Sequence, residues 1–251
     1  FALWDKKNKE LIIARDKIGE KPLYFGFNNS SFYFGSDLFP FKHSKNFKTE
    51  IDNNSLKLYF KLNYIPAPFT IYKGIKKLLP SHYMKISLNN RNPKFVKYWD
   101  LNNNTKINKN YSEKDLEKII YSKLEKNVKK QLLSDVPVGS FLSGGLDSSI
   151  VSYLMQKNSI DKIKTFNIAF DNSNYDESNF ASKIAHHIGS DHNTIVVGNN
   201  DFEDAILNIN NIFSEPFSDS SQLNSYIISK VAKKNVSVIL SGDGGDEGFA
   251  G

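Results

Sequence analysis

Short runs of apolar, β-branched and aromatic residues open the chain: Phe1-Ala-Leu-Trp-Asp5, Leu11-Ile-Ile-Ala-Arg15, Leu23-Tyr-Phe-Gly-Phe27 and Phe32-Tyr-Phe-Gly35. Such runs predict strands. Asn28-Asn29-Ser30 supplies turn chemistry between the last two, so a hairpin or a β-meander is expected. Arg15-Asp16, followed by Gly19, Lys21 and Pro22, reads as a salt-bridged polar corner. From about residue 41 to 110 clear periodicity fades. Leu56, Tyr59 and Phe60 at helical spacing predict a short amphipathic helix over 53–62. Pro66-Ala-Pro68 predicts extended backbone. Lys73-Gly74-Ile75 to Pro80-Ser-His82 reads as a turn before a strand at Tyr83–Ile86, and the Asn-rich residues 102–110 as an exposed connector.

After Ser112 the pattern changes to helices and strands in alternation. Ser112-Glu-Lys-Asp115 has N-cap character, and Leu116, Ile119, Ile120, Leu124 and Val128 follow at helical intervals. A strand through Leu142 comes next, then a helix from Ser148 to about Lys157 and a strand over Ile163–Phe170. Tyr175-Asp-Glu-Ser178 opens a helix that reaches Ile188 and is closed by Gly189. A strand at Thr194–Val197 and helices over 201–213 and 221–234 follow. Val236–Leu240 is an almost continuous apolar run, which predicts a strand buried in a parallel sheet. Strands alternating with helices of this length imply an α/β class, a doubly wound parallel sheet. Ligands of such sheets bind beyond the carboxyl ends of the strands, here after Leu142, Phe170 and Leu240.

Composition narrows the classes further. With 39% hydrophobic and 13% aromatic residues the chain is of folding, globular type. No apolar run approaches the roughly 20 residues a membrane helix needs, so no membrane partner is expected. There are no cysteines, which excludes a disulfide scaffold and a thiolate metal site and is compatible with a cytoplasmic location. The net charge of +6 raises nucleic acid as a partner, yet lysines such as Lys123, Lys126, Lys129 and Lys130 are spread over surface-type positions without aromatics. No nucleic-acid binding is expected.

Two stretches carry chemistry. Ser143-Gly144-Gly145-Leu146-Asp147-Ser148-Ser149 enters from the apolar Val136–Leu142 strand as a tight glycine turn before a helix. Such a turn leaves backbone N–H groups unpaired at the positive end of a helix dipole, the geometry a phosphate needs. Glycine lets the backbone come close. Leu240-Ser-Gly-Asp-Gly-Gly-Asp-Glu247 repeats the logic: apolar strand, glycine turn, carboxylates. Asp147 and Asp246 together suit Mg²⁺, which binds through one or two carboxylates plus phosphate oxygens.

Ser143–Ser149 resembles the PP-loop of the ATP pyrophosphatases. Together with Phe166–Ala169, Tyr175-Asp-Glu-Ser178, Asp191-His192, Glu215-Pro216 and Ser241–Glu247, it resembles the synthetase domain of glutamine-hydrolysing asparagine synthetases. Phe1–Asp5, Ala14-Arg-Asp16, Gly19 and Lys21-Pro-Leu-Tyr24 are similar to the end of that family's class II glutaminase domain, an Ntn-type α+β fold. Tyr64-Ile-Pro-Ala-Pro68 and Gly74-Ile-Lys-Lys-Leu78 resemble the joining segment. The resemblance implies an internal fragment with the glutaminase end at 1–45, a connector at 46–110 and the start of the synthetase domain at 111–251.

The resemblance implies ATP-dependent amidation of aspartate through β-aspartyl-AMP, with ammonia released from glutamine. ATP and Mg²⁺ are the expected cofactors; aspartate, glutamine or ammonia are the expected small-molecule partners, with a homodimer allowed. By the same resemblance Leu142, Ile168, Ser241 and Gly242 touch the nucleotide, while Gly144, Gly145 and Leu146 and the hydroxyls of Ser143, Ser148 and Ser149 hold its pyrophosphate. Asp147 and Asp246 bind Mg²⁺, and Asp243 takes a proton from attacking ammonia. Glu215 and Asp219 either face the acceptor site or cap the next helix. His186, His187 and His192 lack metal-ligand partners and are expected at a helix end or the surface. The family's nucleophilic N-terminal cysteine is missing from this chain, and Gly248-Phe-Ala-Gly251 stands where Leu-Phe-Gly-Gly is usual. Three alternatives stay open: the same chemistry on a sugar acid or β-lactam precursor, a non-catalytic nucleotide-binding regulator, and a basic nucleic-acid binder.

Overall fold

The computed structural model describes residues 1–104, 111–170 and 178–249. The expected helix opening at Tyr175-Asp-Glu, connector residues 105–110 and the final Ala250-Gly251 lie outside the described residues. Two compact units form: Phe1–Ile107 with Asn210–Asp219, and Asn108–Ile209 with Ser220–Gly251.

The first unit holds strands β1 (Ala2–Asp5), β2 (Glu10–Ala14), β3 (Tyr24–Asn28) and β4 (Ser31–Gly35), then helices α1 (Phe39–Lys42) and α2 (Asn53–Leu62). Strands β5 (Ile75–Lys77), β6 (His82–Ser87) and β7 (Lys94–Lys97) and helix α3 (Leu101–Asn104) follow. They form two antiparallel sheets, ordered β1-β2-β6-β7 and β4-β3-β5. The opening strands are therefore two hairpins in different sheets, not one meander. Ile13, Met84 and Ile86 from one sheet and Phe25 from the other share a buried cluster with Leu78. The helix expected over 53–62 is present as α2, and Asp52 caps it by accepting from the Asn54 and Ser55 N–H groups at 2.9 Å each. Pro66-Ala-Pro68 is not extended; it turns, and the Phe69 N–H closes onto the Pro66 carbonyl at 2.9 Å.

Two polar sites hold this unit. The expected Arg15–Asp16 salt bridge is replaced by backbone bonds. The Arg15 guanidinium donates to the carbonyls of Lys21, Leu78 and Gly19 at 2.9, 2.7 and 2.7 Å. Asp16 accepts from the N–H groups of Ile18, Gly19, Glu20 and Lys21. Partial burial pushes the Asp16 carboxyl up, and the four donors together outweigh that and hold it below its ordinary value. The second site is the Lys77–Glu215 ion pair, 2.7 Å long, with side chains only 17% and 10% exposed. Glu215 also accepts from the Ile71 N–H at 2.7 Å, and the Tyr24 hydroxyl lies 3.5 Å from it. Burial, and then the Glu215 carboxylate, push the Tyr24 phenol well above its usual value, so it stays a neutral donor.

The second unit runs α4 (Glu113–Gln131), β8 (Val138–Phe141), α5 (Leu146–Lys157), β9 (Lys164–Phe170), α6 (Ser178–Ile188), β10 (Asp191–Val197), α7 (Asn199–Leu207), α8 (Ile209–Ile212), α9 (Ser221–Ala232), β11 (Val238–Leu240) and α10 (Gly245–Phe249), with α8 crossing the unit boundary. Its sheet is parallel throughout, in the order β10-β9-β8-β11. Crossing helices separate the strands, as a right-handed α/β winding requires. Ser112 caps α4 as expected, accepting from the Asp115 N–H. The core lies on both faces of the sheet. Val128, Leu154, Met155 and Ile163 form one cluster, Leu142, Ala181 and Ala185 another, and Phe166, Ile228, Ala232 and Val236 a third.

Three expectations are corrected here. The 201–213 helix is two, because Asn208 ends α7 by donating from its amide to the Asp204 carbonyl at 2.8 Å. The last strand is shorter, Val238–Leu240, and among the described residues it pairs on one side, with β8; Val238 is 39% exposed. His192 is half-buried, not at the surface. Its Nδ1 lies 2.8 Å from the Thr165 hydroxyl, and burial pushes its pKa below the usual value. No described helix is long and apolar enough to cross a membrane.

Candidate active site

An open cleft of about 1650 Å³ lies against the carboxyl ends of β8 and β9. It is lined by Leu142, Ser143, Gly145, Leu146, Asp147 and Ser148 from the first glycine loop, by Ser241–Glu247 from the second, and by Ile168 of β9. The structure thus brings together the residues singled out in the sequence. Gly144 and Ser149 lie in the same loop and helix start without lining the cleft.

The first loop is built tightly. Leu142 is fully buried and its N–H extends the ladder to the Phe166 carbonyl at 2.9 Å. Gly144 takes φ +90°, and a Cβ there would come within 2.9 Å of the Ala181 nitrogen and of the Phe180 Cβ. Glycine is needed for its conformation and for its closeness to α6. The helix begins at Leu146, two residues before the expected Ser148, with Gly145 at the N-cap. Ser148 and Ser149 do not cap it. Their hydroxyls turn back onto the Gly145 carbonyl at 3.2 and 2.6 Å, and the Ser148 hydroxyl also meets the Ser143 hydroxyl at 3.0 Å. No side chain caps α5, so the N–H groups of its first turn stay open to an anion.

The second loop locks onto the first through Asp147. A Cβ on Gly242 would come within 2.9 Å of the Asp147 Cβ and 2.7 Å of the Ser148 nitrogen, and one on Gly245 would overlap the Asp147 carboxylate itself. These two glycines permit close approach. Gly244 is different: it faces open space and takes φ +91°. Asp243 is exposed and accepts from the Ser241 hydroxyl at 2.8 Å, while Asp246 opens the short α10. Neither Asp147 nor Asp246 is ion-paired among the described residues, and no group of three or more His, Asp or Glu side chains is gathered there to hold a metal unaided.

Several lining residues escaped the sequence reading: Phe141, Asn167, Phe202, Asn224 and Ile228. Asn167 carried a signal, since an amide in the middle of a buried apolar strand is unusual. Asn224 had none, because a polar residue in an amphipathic helix is ordinary. Glu215 does not cap the next helix; its carboxylate is held by Lys77 and the Ile71 N–H.

The two glycines of the first loop give a paired test. Gly144→Ala should destabilise the unit by about 2–4 kcal/mol, from the positive φ and the overlap with α6. Gly145→Ala should cost under about 1 kcal/mol, because Gly145 has an ordinary φ of −69° and only the movable Ser143 hydroxyl near it. Denaturant unfolding of both variants checks this, and equal losses would refute it.

A parallel sheet carrying two interlocked glycine loops beyond the carboxyl ends of its strands defines an α/β protein of the glycine-loop type. Comparison with known families places it further. The family model described as Asparagine synthase matches residues 120–251, and that of a Glutamine amidotransferase domain matches residues 1–99. The chain belongs to the asparagine synthase family. Over its whole length it is 37% identical to Putative asparagine synthetase (glutamine-hydrolyzing) 2 of Methanocaldococcus jannaschii, of which it covers 48%. It is 31% identical to Asparagine synthetase (glutamine-hydrolyzing) 1 of Bacillus subtilis and 29% identical to Amidase chyE of Penicillium rubens, covering 39% of each. The chain thus spans half or less of the length of these relatives.

Proposed function

We propose that this chain carries the nucleotide site of an enzyme that amidates aspartate to asparagine using ATP, with ammonia from glutamine. One observation carries the reading: the 142–149 and 241–247 loops interlock around Asp147 at the carboxyl edge of a parallel sheet. Family membership supports the amidation; the substrate and the intermediate are our inference. In this reading the N–H groups at Gly144, Gly145 and Leu146, that of Gly145 turning from the Ser143 hydroxyl it meets at 3.3 Å, with the hydroxyls of Ser143, Ser148 and Ser149, hold the β- and γ-phosphates at the edge of the cleft. Leu142, Ile168, Ser241 and Gly242 contact the rest of the nucleotide.

A carboxylate oxygen of aspartate attacks the α-phosphorus of ATP, the α–β anhydride bond breaks, and pyrophosphate leaves. Ammonia then attacks the acyl carbon and AMP leaves. Asp243, exposed in the cleft and oriented by Ser241, accepts the proton that ammonia loses. Asp147 and Asp246 fit a divalent cation, because both are unneutralised carboxylates on the cleft and the phosphates would complete the shell. Bound there, Mg²⁺ would offset the charge that develops on departing pyrophosphate. The glutaminase nucleophile would lie outside this chain, which has no cysteine.

The test is product analysis. The full-length protein, given aspartate, ATP, Mg²⁺ and ammonia, should yield AMP and pyrophosphate; ADP and phosphate would refute the mechanism. AMP release on other carboxylates but not on aspartate would move the acceptor and leave the nucleotide chemistry in place.

A further inference from the structure

Where α6 packs on β9 and β10, a run of hydroxyls leads to one imidazole. Thr165 of β9 is fully buried and stands directly across from His192 of β10 in the parallel register. The Thr165 hydroxyl meets His192 Nδ1 at 2.8 Å and the Ser190 hydroxyl at 3.0 Å, and Ser190 donates to the Ala185 carbonyl at 3.4 Å. A carbonyl only accepts, so the donors run one way: Ser190 gives its proton to Ala185, Thr165 to Ser190, and His192 gives its Nδ1–H to Thr165. The ring is then neutral, with a bare lone pair at Nε2. That nitrogen is buried and has no hydrogen-bond partner among the described residues.

A second proton would have to sit on Nε2, where no acceptor receives it. A buried charged N–H left unpaired costs more than a buried neutral lone pair. No counter-charge stands by either. Lys164 and Asp191 hold each other at 2.8 Å, and strand alternation turns them to the other face of the sheet. Helix α6 brings no carboxylate, only the exposed Lys183, His186 and His187. Helix α9 brings Lys230, which pairs with Asp204 of α7 at 3.0 Å. Burial therefore acts on His192 unopposed and holds its pKa below the ordinary 6.5.

We propose that His192 is an acid-sensitive latch: the neutral ring locks β10 to β9 and α6, and a proton on it releases them. The release reaches the cleft. Among the described residues β10 pairs on one side, with β9, and its far end runs through Gly198 into α7. Phe202 of α7 stacks on Phe170, ring centroids 6.4 Å apart, and both line the cleft. The sign follows from linkage. The opened chain takes up a proton below the ordinary imidazole value and the closed chain resists it, so the latch is complete above that value and weakens as pH falls through it.

Hydrogen exchange of the full-length protein at about pH 7.5 and about pH 5.5, either side of the imidazole value, tests the latch. After correction for the intrinsic pH dependence, amides of β10 and α6 should exchange severalfold faster in acid, while those of β8 and α5 hold. His192→Gln, neutral at every pH, should remove that acceleration; His187→Gln, at an exposed ring, should keep it. Exchange at the imidazole C2 position of the wild type, read by mass spectrometry, should show His192 titrating below His186 and His187. It decides the matter even if His192→Gln does not fold. His192 titrating together with the exposed histidines, or the same acid response in wild type and His192→Gln, overturns the latch. ATP affinity should fall severalfold more on acidification in the wild type than in His192→Gln. This last arm alone rests on the reading of the cleft as a nucleotide site: no ATP binding at either pH would overturn that reading and leave the latch to the exchange data.

Discussion

Asp147→Asn should lower AMP-forming turnover by about a hundredfold or more, roughly 2.7 kcal/mol of transition-state stabilisation. The substitution is close to isosteric, so the amide still fits between Gly242 and Gly245, where the backbone already lies against the Asp147 side chain. What it removes is charge. In the first turn of α5 that charge also faces the helix N-terminus, an interaction worth about 0.3–1 kcal/mol of stability. The expected signature is therefore a large loss of turnover beside a small shift in unfolding temperature. Steady-state AMP release at saturating ATP and Mg²⁺, with thermal unfolding of the same preparation, separates the two. Turnover within threefold of wild type would remove Asp147 from the chemistry and leave it as a packing residue between the loops.

The chemistry-bearing loops were legible because their signal is local. An apolar strand, a glycine turn and a carboxylate stand within about ten residues, and each glycine has a use that a sequence can express. The alternation of strands and helices after Ser112 was legible for the same reason. What sequence hid depends on partners far along the chain. The apolar run at 236–240 reads as a strand without naming its neighbour; strand order is set by crossover geometry, which places β11 beside β8. Ser148 reads as the start of the helix because serine is common at helix beginnings; here its hydroxyl folds back onto the Gly145 carbonyl, and the helix starts two residues earlier at Leu146. Which of Gly144, Gly242, Gly244 and Gly245 serves conformation and which serves close approach is also invisible without Asp147 and Phe180 in place.

Lys77→Met should destabilise the Phe1–Ile107 unit by about 3–5 kcal/mol, as expected when one partner of a buried ion pair is lost and the other stays charged. Glu215 illustrates why its role could not be read from its neighbours: its carboxylate is satisfied by Lys77 and the Ile71 N–H, on a segment far upstream. With Lys77 gone, that carboxylate keeps the Ile71 donor and the distant Tyr24 hydroxyl but has no counter-charge. Glu215→Gln alone should cost less, since Lys77 retains the Ile65 carbonyl at 2.6 Å and its long stem can lift the ammonium toward water. The double variant should recover about 2 kcal/mol or more relative to Lys77→Met, because a neutral amide oxygen still accepts from Ile71 without an unpaired charge. Both tryptophans of the chain, Trp4 and Trp99, belong to this unit, so denaturant unfolding followed by tryptophan fluorescence reads it directly. A Lys77→Met loss below about 1 kcal/mol would mean that water reaches the pair and screens it as at an exposed surface. A full loss with no recovery in the double variant would shift the effect from charge to the packing of the Lys77 stem over the Tyr24 ring, which lies 6.0 Å from its ammonium.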